Sequence, residues 1–197
     1  MRGNRVDHFL VEQSMIAFGR MAAVAAVGIC VAIAASRAVT AHRTAAPAAP
    51  GAALDSNTFM TVDAAAKKVT IRLYAAYGSQ NGGMNFNGGS RGNQTITVPL
   101  GWSVHMAFQN KDAIPHSAII LPDHMPLPLQ PDNPAIARAY TKDVTAGIPT
   151  DGTDTMDFTA KPAGNYLIVC GVPGHGPSGM YIKFVVSADA KAPQYAQ

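Results

Sequence analysis

One stretch near the C-terminus, residues 166–186, constrains the fold of this chain more than any other part of its sequence. It reads YLIVCGVPGHGPSGMYIKFVV: an apolar run ending at Cys170, a loop of mostly glycine and proline, and an alternating run that starts after Met180. Short apolar or alternating runs bounded by Gly and Pro are typical of β-strands. The stretch therefore predicts a strand, a tight loop that carries His175, and a second strand, with the spacing C-x4-H-x4-M.

These three side chains are all soft or borderline metal donors. A thiolate, an imidazole and a thioether, completed by a second imidazole, suit copper that alternates between its two oxidation states. His116 is the candidate for the second imidazole, because it stands directly before the short apolar run Ser117–Leu121, as a residue at the rim of a sheet would. The pattern predicts one type 1 copper, bound by His116, Cys170, His175 and Met180.

The chain has two cysteines, and they do not suggest a disulfide. Cys30 lies in an apolar N-terminal stretch, whereas Cys170 belongs to the region with strand patterns. A lone thiol in a folded domain needs a reason, and a buried free cysteine in the core is the ordinary alternative. The fitted spacing to His175 and Met180 favours a ligand.

The net charge of +3 comes from the first 50 residues. From residue 51 onward ten Lys or Arg offset ten Asp, and there is no Glu. A neutral domain lacks the basic stripe that nucleic-acid binding requires. We therefore expect no nucleic acid as a partner. We also expect no small-molecule substrate.

The N-terminal residues 1–36 are predicted to be a signal-anchor or transmembrane segment. Residues 21–35, MAAVAAVGICVAIAA, carry no charge and could form either an uncleaved anchor or the core of a cleaved signal peptide. The residue before Cys30 is Ile, which argues against lipidation of that cysteine. An Ala- and Pro-rich linker, residues 37–53, would then hold a domain of residues 54–197 at the extracytoplasmic face of the membrane.

Strand patterns recur through that domain, with turn signals between them and without a long amphipathic helix, which predicts an all-β sandwich or barrel. A two-turn helix is predicted at Pro134–Tyr140, with Asn133 as its N-cap. The polar tail from Ser187 is predicted to be frayed. The predicted strands are Val69–Ala75, Gln94–Val98, Trp102–Phe108, Ser117–Leu121, Thr155–Thr159, Asn165–Val169 and Tyr181–Val186.

The ligand pattern, with a histidine before an upstream strand, resembles the cupredoxins. The segment MNFNGGSRGNQTITVPLGWSV, with its NFNG element at Asn85–Gly88, is similar to the sulfocyanins among them. That resemblance implies a Greek-key β-sandwich, a membrane-anchoring N-terminus and an electron carrier of respiration rather than an enzyme. It implies redox protein partners such as a cytochrome or a terminal oxidase complex, and it carries the copper ligands over as His116, Cys170, His175 and Met180.

Two further sets of residues are expected to act around the copper. Ser117 and Pro173 are predicted to lie behind the ligands, with Ser117 hydrogen-bonding near the thiolate or the loop backbone. The uncharged loop residues are predicted to form a flat apolar port for electrons, where a partner docks through a small interface that depends weakly on salt. This port consists of Gly174, His175, Gly176 and Pro177.

Three other functions compete with electron transfer. An extracytoplasmic copper carrier or store would use exposed His and Met residues, and His124 and Met125 keep that alternative open. A copper oxidase or reductase would need further histidine pairs such as H-x-H, which the sequence lacks. A thiol hydrolase built on Cys170 and His116 would leave the other two donors without a role. His105 is expected to face solvent, opposite its apolar neighbours.

Overall fold

Nine strands and two short helices form in residues 56–197, the part of the chain that the computed structural model describes. The helices are α1 (Ser56–Phe59) and a 3-10 helix at Gln80–Gly83. The strands are β1 (Met60–Asp63), β2 (Lys68–Ala75), β3 (Thr95–Pro99), β4 (Ser103–Asn110), β5 (Ile119–Pro122), β6 (Thr153–Thr159), β7 (Gly164–Val169), β8 (Tyr181–Ser187) and β9 (Gln194–Ala196).

The strands divide into two sheets. The four-stranded sheet has the order β1-β2-β4-β6, and the five-stranded sheet has the order β5-β7-β8-β3-β9. Two neighbouring pairs, β2 with β4 and β3 with β8, are parallel, so each pair is joined by a crossover rather than by a hairpin. Antiparallel pairing of β5 with β7 and of β7 with β8 brings the start of β5, the end of β7 and the start of β8 together at one end of the five-stranded sheet.

The inward faces of both sheets form one continuous apolar core. In β2 and β4 every second side chain is buried, including Ile71 and Met106. The rings of Phe158 from one sheet and Phe184 from the other meet edge to face, with centroids 6.0 Å apart. Full burial of such a side chain contributes about 1.5–3 kcal/mol, which makes this core the main source of stability.

The structure confirms the all-β prediction and the position of the seven predicted strands. It adds two edge strands, β1 and β9, that sequence patterns did not indicate. The prediction of a frayed tail is wrong at residues 194–196, because β9 pairs with β3 through Tyr195 opposite Ile96. A three-residue strand is too short to show alternation, so its pairing depends on the neighbouring strand.

The predicted helix at Pro134–Tyr140 is also wrong, since the structure has irregular chain there. Its backbone pairs with β5 instead: Ala135 N donates to Ile120 O at 2.8 Å, and Ile120 N donates to Ala139 O at 2.9 Å. Arg138 has a left-handed φ of +65°, which a right-handed helix excludes. Tertiary pairing thus takes the backbone groups that a two-turn helix would need.

Within residues 56–197, no helix has both the length and the apolar character needed to cross a membrane. The predicted anchor, residues 1–36, and the predicted linker, residues 37–53, lie outside the described residues, as does Cys30. The anchor and the linker stay predictions.

Candidate metal centre

Three strand ends bring the predicted donors to one pole of the five-stranded sheet. His116 lies just before β5, where its backbone exchanges hydrogen bonds with Ile148 at 3.2 and 2.7 Å. Cys170 follows β7, and Met180 precedes β8. Because β7 and β8 are antiparallel neighbours, Cys170 N can donate to Met180 O at 3.0 Å, which closes the ligand loop, residues 170–180.

The donor atoms of three of these residues converge. The Nδ1 atoms of His116 and His175 are 3.2 Å apart, and they lie 3.7 and 3.5 Å, respectively, from Cys170 Sγ. His116 is fully buried and Cys170 is 1% exposed, whereas His175 is half-buried. The structure therefore supplies a compact His2Cys triangle with one edge toward solvent.

This triangle fits a metal ion. Bonds of about 2.0–2.3 Å to a first-row metal in a trigonal plane place donor atoms about 3.5–4 Å from one another. The observed separations of 3.2–3.7 Å are close to that spacing. Two imidazole lone pairs and a thiol sulfur gathered in a buried place repel one another unless a cation lies between them, and the soft donor set is the one that copper prefers.

A carboxylate orients the buried imidazole. His116 Nε2 lies 2.9 Å from Asp112 Oδ2, and that hydrogen bond holds the pKa of Asp112 below its usual range, against a smaller opposing effect of burial. An ionised carboxylate accepts only, so it keeps the ring proton on Nε2 and leaves the Nδ1 lone pair free toward Cys170. Asp112 therefore fixes the imidazole tautomer that a metal requires.

Burial affects the two other donors in opposite ways: it favours the neutral imidazole that a metal binds and disfavours the thiolate that a metal binds. Burial, and then the nearby His116, lower the pKa of His175, so that its imidazole stays neutral and available over a wider pH range. Burial raises the pKa of the Cys170 thiol, although the backbone N–H of Ser117 acts in the other direction. A bound cation would reverse this preference by stabilising the thiolate.

Met180 is fully buried in the core beside the triangle. Its backbone N donates to His175 O at 3.0 Å, while its carbonyl accepts from Cys170 N at 3.0 Å. Two of the other donors thus hold the backbone of Met180 from both sides.

Ser117 lies where it touches both the thiol and the ligand loop. Its backbone N is 3.5 Å and its Oγ is 4.0 Å from Cys170 Sγ. The same Oγ accepts from Gly171 N at 3.0 Å and donates to Val144 O at 2.7 Å. Ser117 therefore joins three separate chain segments around the sulfur.

The residues of the predicted electron port differ in exposure. Pro177 is exposed, Gly174 and His175 are half-buried, and Gly176 is buried against Val169. Pro173, which was predicted to lie behind the ligands, is exposed. The exposed part is widened by residues 123–152, the long loop between β5 and β6.

The long loop reaches the ligand loop through Leu129, whose carbonyl accepts from Gly174 N at 3.0 Å. Met125 of the long loop is 48% exposed and shares a small pocket with Gly176 and Pro177. The alternative in which His124 and Met125 serve a copper carrier stays untested. His105 pairs with Asp157 at 2.8 Å on the half-exposed face of the four-stranded sheet.

Sequence reasoning missed Asp112 and the segment that borders it. Asp112 stands four residues before His116, and a D-x3-H spacing next to a predicted ligand could have indicated it. The asparagine-rich segment, residues 77–93, places Gly83 so close to Asp112 that an added Cβ would lie 3.0 Å from Oδ2. That contact depends on tertiary packing, and no local pattern announces it.

A two-sheet β-sandwich with a His2Cys triangle and a buried methionine at one pole defines a type 1 copper protein of the cupredoxin class. The family model described as the sulfocyanin (SoxE) domain matches residues 55–196. The chain belongs to the sulfocyanin family, and its cofactor is one type 1 copper. At the level of the class, these are electron-transfer proteins and generally not enzymes.

The chain is also similar to individual proteins. The chain is 30% identical to sulfocyanin of Sulfolobus acidocaldarius over 64% of its own length and 67% of the relative. It is 32% identical to rusticyanin of Acidithiobacillus ferrooxidans over 48% of its length and 61% of the relative. Among solved structures, a rusticyanin structure is 28% identical, with a TM-score of 0.46 over 61% of this chain and 78% of the other.

Proposed function

We propose that this chain carries single electrons between extracytoplasmic respiratory components, with His116, Cys170, His175 and Met180 as the ligands of its copper. The observation that carries the proposal is the convergence of two imidazole Nδ1 atoms on the buried Cys170 sulfur, at 3.7 and 3.5 Å. When bound, copper supplies one-electron chemistry by alternating between Cu(I) and Cu(II).

The protein's own residues would keep the geometry of the ligands constant while the charge changes. Asp112 holds the His116 ring, and Ser117 ties Cys170 to two loops. The core buries Met180 and His116 completely, which excludes water from that side of the site. A site that neither rearranges nor rehydrates loses little energy to reorganisation when an electron enters or leaves.

Electrons would enter and leave at the half-buried edge of His175. The surface beside it includes exposed apolar side chains, with Leu129 68% exposed and Met125 48% exposed. A redox protein, such as a cytochrome or a terminal oxidase complex, would dock there through a small and weak interface. Since the domain from residue 51 has equal numbers of positive and negative side chains, docking should depend weakly on ionic strength.

The visible spectrum of the copper-loaded full chain tests the ligand set. We expect an intense thiolate-to-copper band that bleaches reversibly on addition of one electron per chain and is lost in Cys170→Ser. Cys30→Ser is the matched control, because it removes the other cysteine and should leave the band intact. A pale Cu(II) protein, or a band that survives in Cys170→Ser, would contradict the proposal.

Burial of the ligands favours an electron carrier over a copper carrier or store. Handing copper to another protein requires accessible ligands, whereas His116, Cys170 and Met180 are at most 1% exposed. Exchange with a Cu(I) chelator separates the two functions: an electron carrier should release copper far more slowly than it exchanges electrons. Release as fast as electron exchange would favour the copper carrier.

The location follows from the proposed anchor, residues 1–36, and the linker, residues 37–53. Membrane fractionation of the full chain should find it in the membrane fraction, and a variant lacking residues 1–36 should leave that fraction. Protease added to intact cells should digest the copper domain if it lies on the extracytoplasmic face. Equal fractionation of both forms would contradict the anchor.

A further inference from the structure

The asparagine-rich segment has no ligand in the proposed copper site, yet it is among the most internally bonded parts of the described chain. Asn85 is fully buried, and its Oδ1 accepts from Tyr77 N at 3.0 Å and Gly88 N at 2.9 Å. Its Nδ2 donates to Gln80 O at 2.9 Å. One buried amide thus closes the segment on itself.

A second buried amide fastens the segment to the sandwich. Asn87 Oδ1 accepts from Tyr74 N at 2.8 Å, and Asn87 Nδ2 donates to Arg72 O at 2.9 Å and Tyr195 Oη at 3.2 Å. A buried polar group without a partner costs about 1–3 kcal/mol, so every alternative conformation that breaks these bonds is disfavoured. The segment therefore has one well-defined shape, supported by β2 and β9.

Two side chains of this rigid segment converge on one carbonyl of the ligand loop. Ser178 O accepts from Arg91 Nη2 at 3.1 Å and from Asn81 Nδ2 at 3.3 Å. Arg91 Nη2 also donates to Asn81 Oδ1 at 3.3 Å, which joins the two side chains to each other. Ser178 is the second residue before Met180.

The segment's backbone continues the same grip on both sides of the methionine. Arg91 N donates to Gly179 O at 2.8 Å, and Gly92 N donates to Tyr181 O at 3.0 Å. Gly179 has a φ of +105°, and a Cβ there would lie 2.8 Å from Arg91 Cγ. A glycine is therefore needed at position 179 for the ligand loop and the asparagine-rich segment to approach so closely.

We propose that Arg91 and Asn81 are positioning residues for Met180, and that the asparagine-rich segment holds the Met180 thioether where it would bind the copper. This inference rests on the proposed function, in which Met180 is the thioether ligand of the copper. The axial ligand tunes the properties of a type 1 site, and a weak bond has little strength of its own to define its length. The segment's hydrogen bonds to residues 178, 179 and 181 would position the thioether instead.

The test compares Arg91→Ala with Arg138→Ala in the full chain. Both arginines are exposed and both have left-handed φ values, +51° and +65°, so the backbone effect of alanine is matched. Arg138 lines a shallow pocket with Tyr140 and Asp154 beside the four-stranded sheet. With methionine methyls labelled by carbon-13, NMR of the copper-free chain reports the Met180 side chain, and the copper-loaded chain reports band ratio and EPR rhombicity.

We expect Arg91→Ala to shift or broaden the Met180 methyl signal, to change the band ratio, and to speed Cu(I) release to a chelator about twofold to fivefold. Arg138→Ala should change none of these. Arg91→Lys, which keeps the charge and the aliphatic part of the side chain, should behave much like the unmodified chain. A Met180 signal and a band ratio that Arg91→Ala leaves unchanged would overturn the proposal, even with the blue band present. Absence of the blue band from the unmodified chain would instead contradict the proposed function, and the copper-free methyl spectrum would still decide whether Arg91 positions Met180.

Discussion

Two segments flank the ligand loop, and they are built in opposite ways. The asparagine-rich segment turns its amides inward, with Asn85 and Asn87 fully buried and bonded to backbone groups. The long loop exposes some of its large apolar side chains, with Leu129 68% exposed and Met125 48% exposed. Both segments nevertheless donate to or accept from the ligand loop or the serine behind it.

The difference separates two tasks of a copper site. A network of satisfied buried amides specifies one conformation, because each broken bond leaves a costly unpaired group. An exposed apolar surface gains free energy only when something covers it, and it tolerates small adjustments of the partner. Under the proposed function, the Met180 side would act as a fixed support and the His175 side as a docking surface.

The largest expected effect is the loss of a buried amide from the asparagine-rich segment. Asn87→Ala removes three hydrogen bonds and leaves buried partners unpaired, so we expect the free energy of unfolding to fall by about 2–4 kcal/mol. Asn133→Ala, in the exposed part of the long loop, is the matched control and should cost less than about 0.5 kcal/mol. Urea unfolding of the copper-free chain measures both, and equal losses would erase the contrast between the two segments.

A pH titration probes the same support through Tyr195. Burial raises the pKa of Tyr195 to about 12, against a smaller opposing effect of its bond to Asn87. The folded pKa lies above the unfolded value of 10. The neutral Tyr195 hydroxyl therefore stabilises the folded state fully below pH 10, and this stabilisation is lost as the pH rises toward 12. The free energy of unfolding should fall by about 2–3 kcal/mol across that window.

Tyr195→Phe should lack this part of the alkaline loss, because phenylalanine does not ionise. Tyr140→Phe, which changes an exposed tyrosine of the long loop, should retain it. Urea unfolding at a series of pH values measures the three curves. Identical alkaline losses in all three proteins would show that Tyr195 is not the group responsible.

A third variant sharpens the comparison where the asparagine-rich segment meets the histidine side of the site. Asp112→Ala removes the acceptor for His116 Nε2, so the imidazole loses its fixed tautomer, and we expect copper affinity to fall about 10- to 100-fold. Asp112→Asn keeps an acceptor and should lose less. Competition with a chelator measures the affinity, with Asp132→Ala of the long loop as the control. Equal copper affinities of the Asp112→Ala and Asp132→Ala variants would show that Asp112 does not support the copper site.

The smallest effect is expected on the docking surface. Leu129→Ser should leave the free energy of unfolding within about 0.5 kcal/mol and slow electron self-exchange between two copies of the chain about twofold to fivefold, since apolar contact area is lost. Leu100→Ser, also an exposed leucine, is the control at 46% exposure. NMR line broadening in mixtures of Cu(I) and Cu(II) protein measures the rate. A slower rate in both variants, or in neither, would argue against a docking role for the long loop.

Much of the fold could be predicted because most of its strands have a recognisable pattern in their local sequence. Alternation at Val69–Ala75 and Trp102–Phe108 follows from burying one face of a sheet, and the apolar runs at β5 and β7 follow from deeper burial. The helix predicted at Pro134–Tyr140 failed because local helix signals do not compete with backbone pairing to β5. Strand β9 was missed because three residues have no period.

The sequence by itself determined the kind of metal site, since the C-x4-H-x4-M spacing of soft donors admits few chemistries. The position of Ser117 near the thiol could be expected, because Ser117 adjoins a predicted ligand in the sequence. Only the tertiary structure decided the rest of the support: Asp112 behind His116 and Arg91 against Ser178. The physical reason is distance along the chain. Ligand identity is a property of side-chain chemistry and local spacing, whereas a hydrogen bond between residues 87 positions apart exists only after the sandwich has closed.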